Sequence, residues 1–137
     1  MRLSFDGNTE NFTEINTGIP QGSPISPILF LIYIRNLFYS SSVCYLSYID
    51  DIAITVASPT TVRNIAILER ELAKLYTLGN QSGVEFDLDK TELIHWVNTK
   101  KQLPSIKLPT AINKTPKSIV KWLDIYFDSK MSFTGYI

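Results

Sequence analysis

The chain has 137 residues, 45% of them apolar and 19% charged, with 13 basic and 13 acidic side chains. Those figures fit one packed globular domain and exclude a disordered or acidic-tail protein. A single cysteine, Cys44, excludes an internal disulfide framework, and a single histidine, His95, excludes a Cys/His zinc site.

The longest apolar stretch, Pro27 to Ile34, is far shorter than the ~20 residues of a membrane span. No basic segment precedes an apolar run at Met1, so no secretory signal is expected. The reading is a soluble intracellular chain with no membrane partner. Its zero net charge hides an asymmetry. Met1–Asp89 holds five basic residues against ten acidic, and Lys90–Ile137 holds eight lysines against Glu92, Asp124 and Asp128. A basic C-terminal third suits a nearby polyanion, although lysines scattered over a solvated surface give the same count.

In chain order, Arg2–Phe5 and Phe12–Asn16 alternate around the turn dipeptide Asp6-Gly7, which predicts a hairpin. Thr17 to Pro24 is a loop dense in glycine and proline. Ser26 as a cap and Pro27 at the first position predict a helix over 26–38, apolar all round until Arg35, so most of its perimeter should be buried. Val43–Ile49 and Ile52–Ala57 are β-rich runs with the spacing of a two-residue hairpin, its turn at Asp50-Asp51. A second helix is expected over 61–81, starting at Thr60 or Thr61. Its apolar stripe is Ile65, Leu68, Leu72 and Leu75, and its stop is Gly83. Glu92–Val97, Ile106–Leu108 and Ile119–Phe127 read as strands, Lys114–Pro116 as a turn, and Met131–Ile137 as the opening of a further element.

Asp50-Asp51 breaks the local rule. A tight turn wants Asn-Gly or Asp-Gly, because its central residues need positive φ. Two adjacent carboxylates fit that backbone poorly and repel each other, and such violations gather at functional sites. A divalent cation would relieve the repulsion, and hard oxygen ligands favour Mg²⁺ or Mn²⁺. Taken alone, the pair also fits a solvated acidic turn.

The context extends beyond that pair. Tyr48-Ile49-Asp50-Asp51, an aromatic-x-Asp-Asp between two apolar strands, resembles the active-site hairpin of reverse transcriptases. Upstream, Gly18-Ile19-Pro20-Gln21-Gly22-Ser23-Pro24-Ile25-Ser26-Pro27 resembles that family's loop and helix beneath the templating base pair. Downstream, Phe86 to Trp96 resembles its lysine-bearing palm block, and Lys121 to Asp128 resembles its primer-gripping hairpin. The four blocks follow the family's order at compatible spacings and cover nearly the whole chain. GIPQGSPISP and KTELIHW are most similar to non-LTR (LINE-type) retrotransposon enzymes.

The resemblance implies an α+β fold, the C-terminal part of a polymerase palm. An antiparallel sheet would carry the Asp50-Asp51 hairpin and be backed by the two helices. It implies RNA-templated DNA synthesis with Mg²⁺ or Mn²⁺, deoxynucleoside triphosphates, an RNA template and a DNA primer. Nucleotide addition is then an in-line displacement with two metal ions. By resemblance Asp50 is the principal metal ligand and Asp51 the second, with Ile49 against the primer end beside Tyr48. Pro20, Gln21, Gly22 and Ser23 line the incoming base pair, where glycine allows close backbone approach. Lys90 is implied as the proton donor to pyrophosphate, a surface lysine being the alternative. Trp122, Leu123 and Tyr126 form the base of the primer grip. His95 and Trp96 read as packing residues.

Two departures stand against the pattern. The family usually has glycine after Trp-Leu, where this chain has Asp124. The family also uses a third aspartate on a strand well upstream of the Gln-Gly block, and Asp6, in a turn close before Gly18, does not match it. The chain therefore reads as a partial reverse transcriptase domain over 1–137, lacking fingers, first catalytic strand and nearly all of the thumb. Alone it is expected to extend no primer. Its partners would include the missing upstream part of the same polymerase, in the nucleus when part of a full element. The competing reading is a non-catalytic remnant that at most binds nucleic acid weakly.

Overall fold

The computed structural model describes residues 4–5, 8–9, 22–97 and 102–132. The chain divides into two compact units, Met1–Ile34 and Arg35–Ile137. In the first, β1 (Ser4–Phe5) pairs antiparallel with β2 (Asn8–Thr9), Phe5 opposite Asn8. In sequence the two strands flank the Asp6-Gly7 dipeptide for which a turn is predicted. The dipeptide itself and the expected strand Phe12–Asn16 lie outside the described residues, and the observed partner strand comes earlier.

Helix α1 runs Ser26–Ile34. Ser26 is inside the helix rather than capping it, its amide bonding to the Ser23 carbonyl at 3.1 Å. The helix predicted over 26–38 ends at Ile34, and Arg35–Phe38, at the start of the second unit, is a 3₁₀ turn. Ile34 is 2% exposed, but Ile28, Leu29, Leu31, Ile32 and Tyr33 are exposed, so the expected burial of most of the perimeter does not hold here.

The second unit is organised on α2 (Thr61–Gln81). Thr60 caps it in an extended conformation, its Oγ1 accepting from the Arg63 amide at 3.2 Å. Gly83, at φ 67°, ends it as predicted. The Val84 amide reaches back to the Gly79 carbonyl at 2.8 Å and the Gly83 amide to Asn80 at 3.2 Å, the paired bonds of a Schellman motif. Ile65 and Leu68 from this helix join Leu93, Ile106 and Leu108 in the core, with Ile54, Val56, Leu72, Leu88 and Ile112 packed around them.

Five two-stranded ladders stand among the described residues. β3 (Cys44–Tyr48) and β4 (Asp51–Thr55) form a hairpin. After a 3₁₀ turn at Leu88–Lys90, β5 (Leu93–Ile94) is much shorter than the strand expected over Glu92–Val97. β6 (Ile106–Lys107) pairs antiparallel with β7 (Asn113–Lys114). β8 (Pro116–Lys117) pairs with β5 in the one parallel ladder. Lys114–Pro116 is thus no simple turn: Thr115 separates strands of two ladders, and Pro116 sits first in its strand, where its missing N–H costs least. The single strand predicted over Ile119–Phe127 is a hairpin, β9 (Ile119–Trp122) and β10 (Ile125–Asp128). The class is α+β. No helix among the described residues is long and apolar enough to cross a membrane.

Candidate functional site: the carboxylate hairpin

The β3–β4 register pairs Tyr48 with Asp51, Leu46 with Ala53 and Tyr45 with Ile54. Strand alternation puts Cys44, Leu46, Tyr48 and Asp51 on one face and Tyr45, Ser47, Ile52 and Ile54 on the other. Ile54 packs against the core, so the Tyr45 face is inward. The Tyr48 face is open, with Leu46 and Tyr48 45% and 59% exposed.

The two-residue turn is Ile49-Asp50, one position earlier than predicted, and Asp51 opens β4. Ile49 takes φ 54°, whereas neither aspartate has positive φ. Positive φ at the first central residue alone is the pattern of hairpin turns that favour glycine there. For a β-branched residue it is an outlier costing about 1–2 kcal/mol. The strain expected at the carboxylates is carried by Ile49 instead. It aims two consecutive carboxylates out of the end of a ladder, Asp50 from the turn and Asp51 from the open face.

Both aspartates are exposed. Among the described residues neither side chain has a hydrogen-bond or ion-pair partner, whereas Asp87 is held by Lys90, Glu92 by Lys117 and Asp124 by Lys121. Two adjacent anionic oxygen donors left unneutralised match what Mg²⁺ or Mn²⁺ binds. No group of three or more His, Cys, Asp or Glu placed to hold a metal occurs among the described residues. The hairpin thus offers two carboxylates, with no third acidic, imidazole or thiol group grouped with them among the described residues.

The other predicted residues fall in separate places. Pro20 and Gln21 lie outside the described residues. Gly22 has φ 83°, a conformation that requires glycine, and a Cβ there would meet nothing within 4 Å. Ser23 Oγ accepts from the Ile25 amide at 3.4 Å. Lys90 ends the 3₁₀ turn, exposed, its Nζ 3.1 Å from the Asp87 carboxylate. The hydrogen bond from Lys90 holds the Asp87 carboxyl below its ordinary range.

In the β9–β10 hairpin Trp122 pairs with Ile125, leaving Leu123-Asp124 as the turn, both at positive φ (50° and 63°). Trp122 and Tyr126 alternate onto opposite faces, so they do not form one continuous apolar base. Trp122 is half-buried on the same face as Phe127, which meets Trp96 edge-on at 6.5 Å. Tyr126 shares its face with Lys121, whose Nζ lies 5.6 Å from the ring centroid. Asp124 stands where positive φ explains a preference for glycine. Aspartate tolerates that region better than most residues, and Lys121 bonds its carboxylate at 2.8 Å, lowering its pKa.

His95 is buried, its Nε2 2.9 Å from the Pro104 carbonyl oxygen, which fits the packing role expected for it. Sequence reasoning missed Glu71, buried on α2 and bonded to Tyr45 behind the hairpin. The signal was present. Glu71 falls on the apolar stripe, three residues after Leu68 and four before Leu75, where a carboxylate needs a reason.

The family model for reverse transcriptase (RNA-dependent DNA polymerase) matches residues 1–136. An RNA-directed DNA polymerase from mobile element jockey of Drosophila melanogaster is 22% identical over 143 residues, covering 98% of this chain and 16% of that relative. The chain thus spans about one sixth of the length of the curated relative it matches. No solved structure matches. The chain belongs to the reverse transcriptase family, and its similarity to a mobile-element enzyme agrees with the LINE-type resemblance of its motifs.

Proposed function

We propose that this reverse transcriptase family chain supplies the metal-binding hairpin of an RNA-templated DNA polymerase, within a palm-type sheet that other parts of a longer retrotransposon protein complete. The observation that carries the reading is the Ile49-Asp50-Asp51 turn. A strained backbone presents two adjacent carboxylates at an open face, neither with a partner among the described residues.

When bound, Mg²⁺ or Mn²⁺ would stabilise the charge on the attacking and leaving oxygens of an in-line displacement. Asp50 at the tip is the principal ligand and Asp51, one residue into the strand, the second. Tyr48 shares the open face with Asp51 and offers an aromatic surface beside them, with Ile49 against the primer end. Gln21 and Gly22, with Pro20 and Ser23, line the nucleotide, and the missing side chain at Gly22 lets it come close to the backbone. Lys90 would serve as proton donor to the leaving pyrophosphate, a role that requires it to leave Asp87. Trp122 and Leu123 support the primer-side hairpin, and Tyr126 with Lys121 presents its outer face.

The exposed apolar perimeter of α1 fits a helix on which further polymerase segments pack. With two carboxylates alone, the 137-residue chain should extend no primer. Asp124 lends no support to a non-catalytic remnant, because its backbone adopts the required conformation and Lys121 neutralises it.

The test is primer extension on an RNA template by a polymerase containing this segment, wild type against Asp50→Asn. The turn is exposed and loses one of two repelling charges, so the variant should fold normally and extend nothing. Mg²⁺-dependent extension by the Asn variant would refute the assignment.

A further inference from the structure

Glu71 is 5% exposed on the face of α2 that otherwise carries Leu68 and Leu75. Burying a carboxylate is costly unless it is bonded, and leucine would fill the same stripe at lower cost. Its bonds are specific. Oε2 accepts from the Tyr45 hydroxyl at 3.4 Å, and Oε1 lies 3.3 Å from Arg70 Nη2. That guanidinium also donates to Ser42 Oγ at 3.1 Å, and one turn further along Lys74 donates to the Tyr39 carbonyl at 2.7 Å.

Apart from the Arg70–Glu71 pair within the helix, these attachments leave one stretch of α2, 70–74, and land on one stretch of chain, 39–45, which leads into β3. The Tyr45 ring also rests on Phe38, centroids 5.5 Å apart. Apolar contacts tolerate sliding, but directed hydrogen bonds do not. Tyr45 lies on the inward face of the same strand that ends at the Ile49-Asp50 turn, about 13 Å away at 3.3 Å per residue. A shift or tilt at Tyr45 is therefore transmitted along the ladder to the carboxylates.

We infer that Glu71 and Tyr45, flanked by Arg70 and Lys74, are positioning residues that fix the height and tilt of the Asp50–Asp51 hairpin for nucleotidyl transfer. The inference rests on the reading of that hairpin as the catalytic one. Burial first, and then the Glu71 carboxylate, push the Tyr45 hydroxyl up to about 12. It therefore remains a donor throughout the neutral and mildly alkaline range.

The experiment measures single-nucleotide addition by a polymerase containing this segment, with kcat, nucleotide KM and primer–template affinity determined separately. Tyr45→Phe removes one hydroxyl and keeps the ring on Phe38, so it tests the clamp without threatening the fold. Glu71→Leu removes the acceptor, and Glu71→Gln restores one. Tyr45→Phe and Glu71→Leu should each lower kcat about 10-fold or more, the scale of a small misplacement of reacting groups. Primer–template affinity should be unchanged, Glu71→Gln should recover most of the rate, and the double variant should be no worse than the poorer single one. If Asp50→Asn is inactive while Tyr45→Phe keeps the wild-type kcat, the clamp is overturned and the active-site assignment stands. A loss confined to primer–template affinity also overturns the clamp. Extension by Asp50→Asn overturns both.

Discussion

Alanine at Gly79 tests how the Phe86-to-Trp96 block is held. On helix propensity alone, Gly79→Ala should stabilise α2 by about 1 kcal/mol. The surroundings oppose this. A Cβ on Gly79 would stand 2.3 Å from Phe86 Cε2, 3.2 Å from Cδ2 and 3.0 Å from the Val84 carbonyl oxygen. Carbon atoms pack at about 3.5 Å or more, so the ring must retreat by roughly 1.2 Å. The backbone cannot easily follow, because the Val84 amide is bonded to the Gly79 carbonyl at 2.8 Å. Overpacking of this kind costs about 1–3 kcal/mol, which exceeds the propensity gain across most of its range. The expected outcome is net destabilisation of about 1 kcal/mol. Urea unfolding of the 137-residue chain, followed by helical circular dichroism, should show the midpoint fall by roughly 0.5 M at a slope of ~2 kcal/mol/M. Adding Phe86→Leu should recover part of the loss by vacating the contact. A Gly79→Ala midpoint above wild type would refute the reasoning, since Phe86 would then not be seated on this glycine.

Thr60→Ala removes the acceptor for the Arg63 amide and should cost about 1 kcal/mol in the same assay. Gly22→Val forces a branched residue to φ 83° and puts a side chain where the nucleotide would approach the backbone. Primer extension should fall strongly, and unchanged nucleotide affinity and rate would reduce Gly22 to a turn residue. Asp124→Gly relieves the positive φ at 63° and gives up an exposed ion pair worth little, so thermal unfolding should move up by roughly 2 °C. A lower midpoint would mean that the Lys121 contact outweighs the backbone strain.

The helices were legible because their signals are local. The Thr60 cap, the 3.6-residue stripe and the Gly83 stop lie within one stretch of chain. The hairpin turn was legible only to within one residue. Moving the two-residue turn from Asp50-Asp51 to Ile49-Asp50 leaves every side chain on the same face, so hydrophobic alternation does not distinguish the registers. Only the φ of Ile49 does. The β9–β10 hairpin was hidden from propensity because Leu123-Asp124 carries no glycine, and only the motif resemblance pointed to it. The β5–β8 pairing joins residues 23 apart in sequence, for which no local pattern exists. Glu71 was visible as a charge on an apolar stripe, but its partner Tyr45 lies 26 residues away.

The proposed chemistry requires a divalent cation at the Asp50–Asp51 turn. Fe²⁺ placed in a Mg²⁺ site reduces added hydrogen peroxide to hydroxide and a hydroxyl radical, becoming Fe³⁺ that added ascorbate returns to Fe²⁺, and the radical cuts the backbone beside the site. On a polymerase containing this segment, with primer–template bound, cleavage should map to the Tyr48–Ile52 stretch, compete away with Mg²⁺ and disappear in Asp50→Asn. Cleavage centred instead on Asp87–Asp89, or an unchanged pattern in Asp50→Asn, would place the cation elsewhere and overturn the assignment of Asp50 and Asp51.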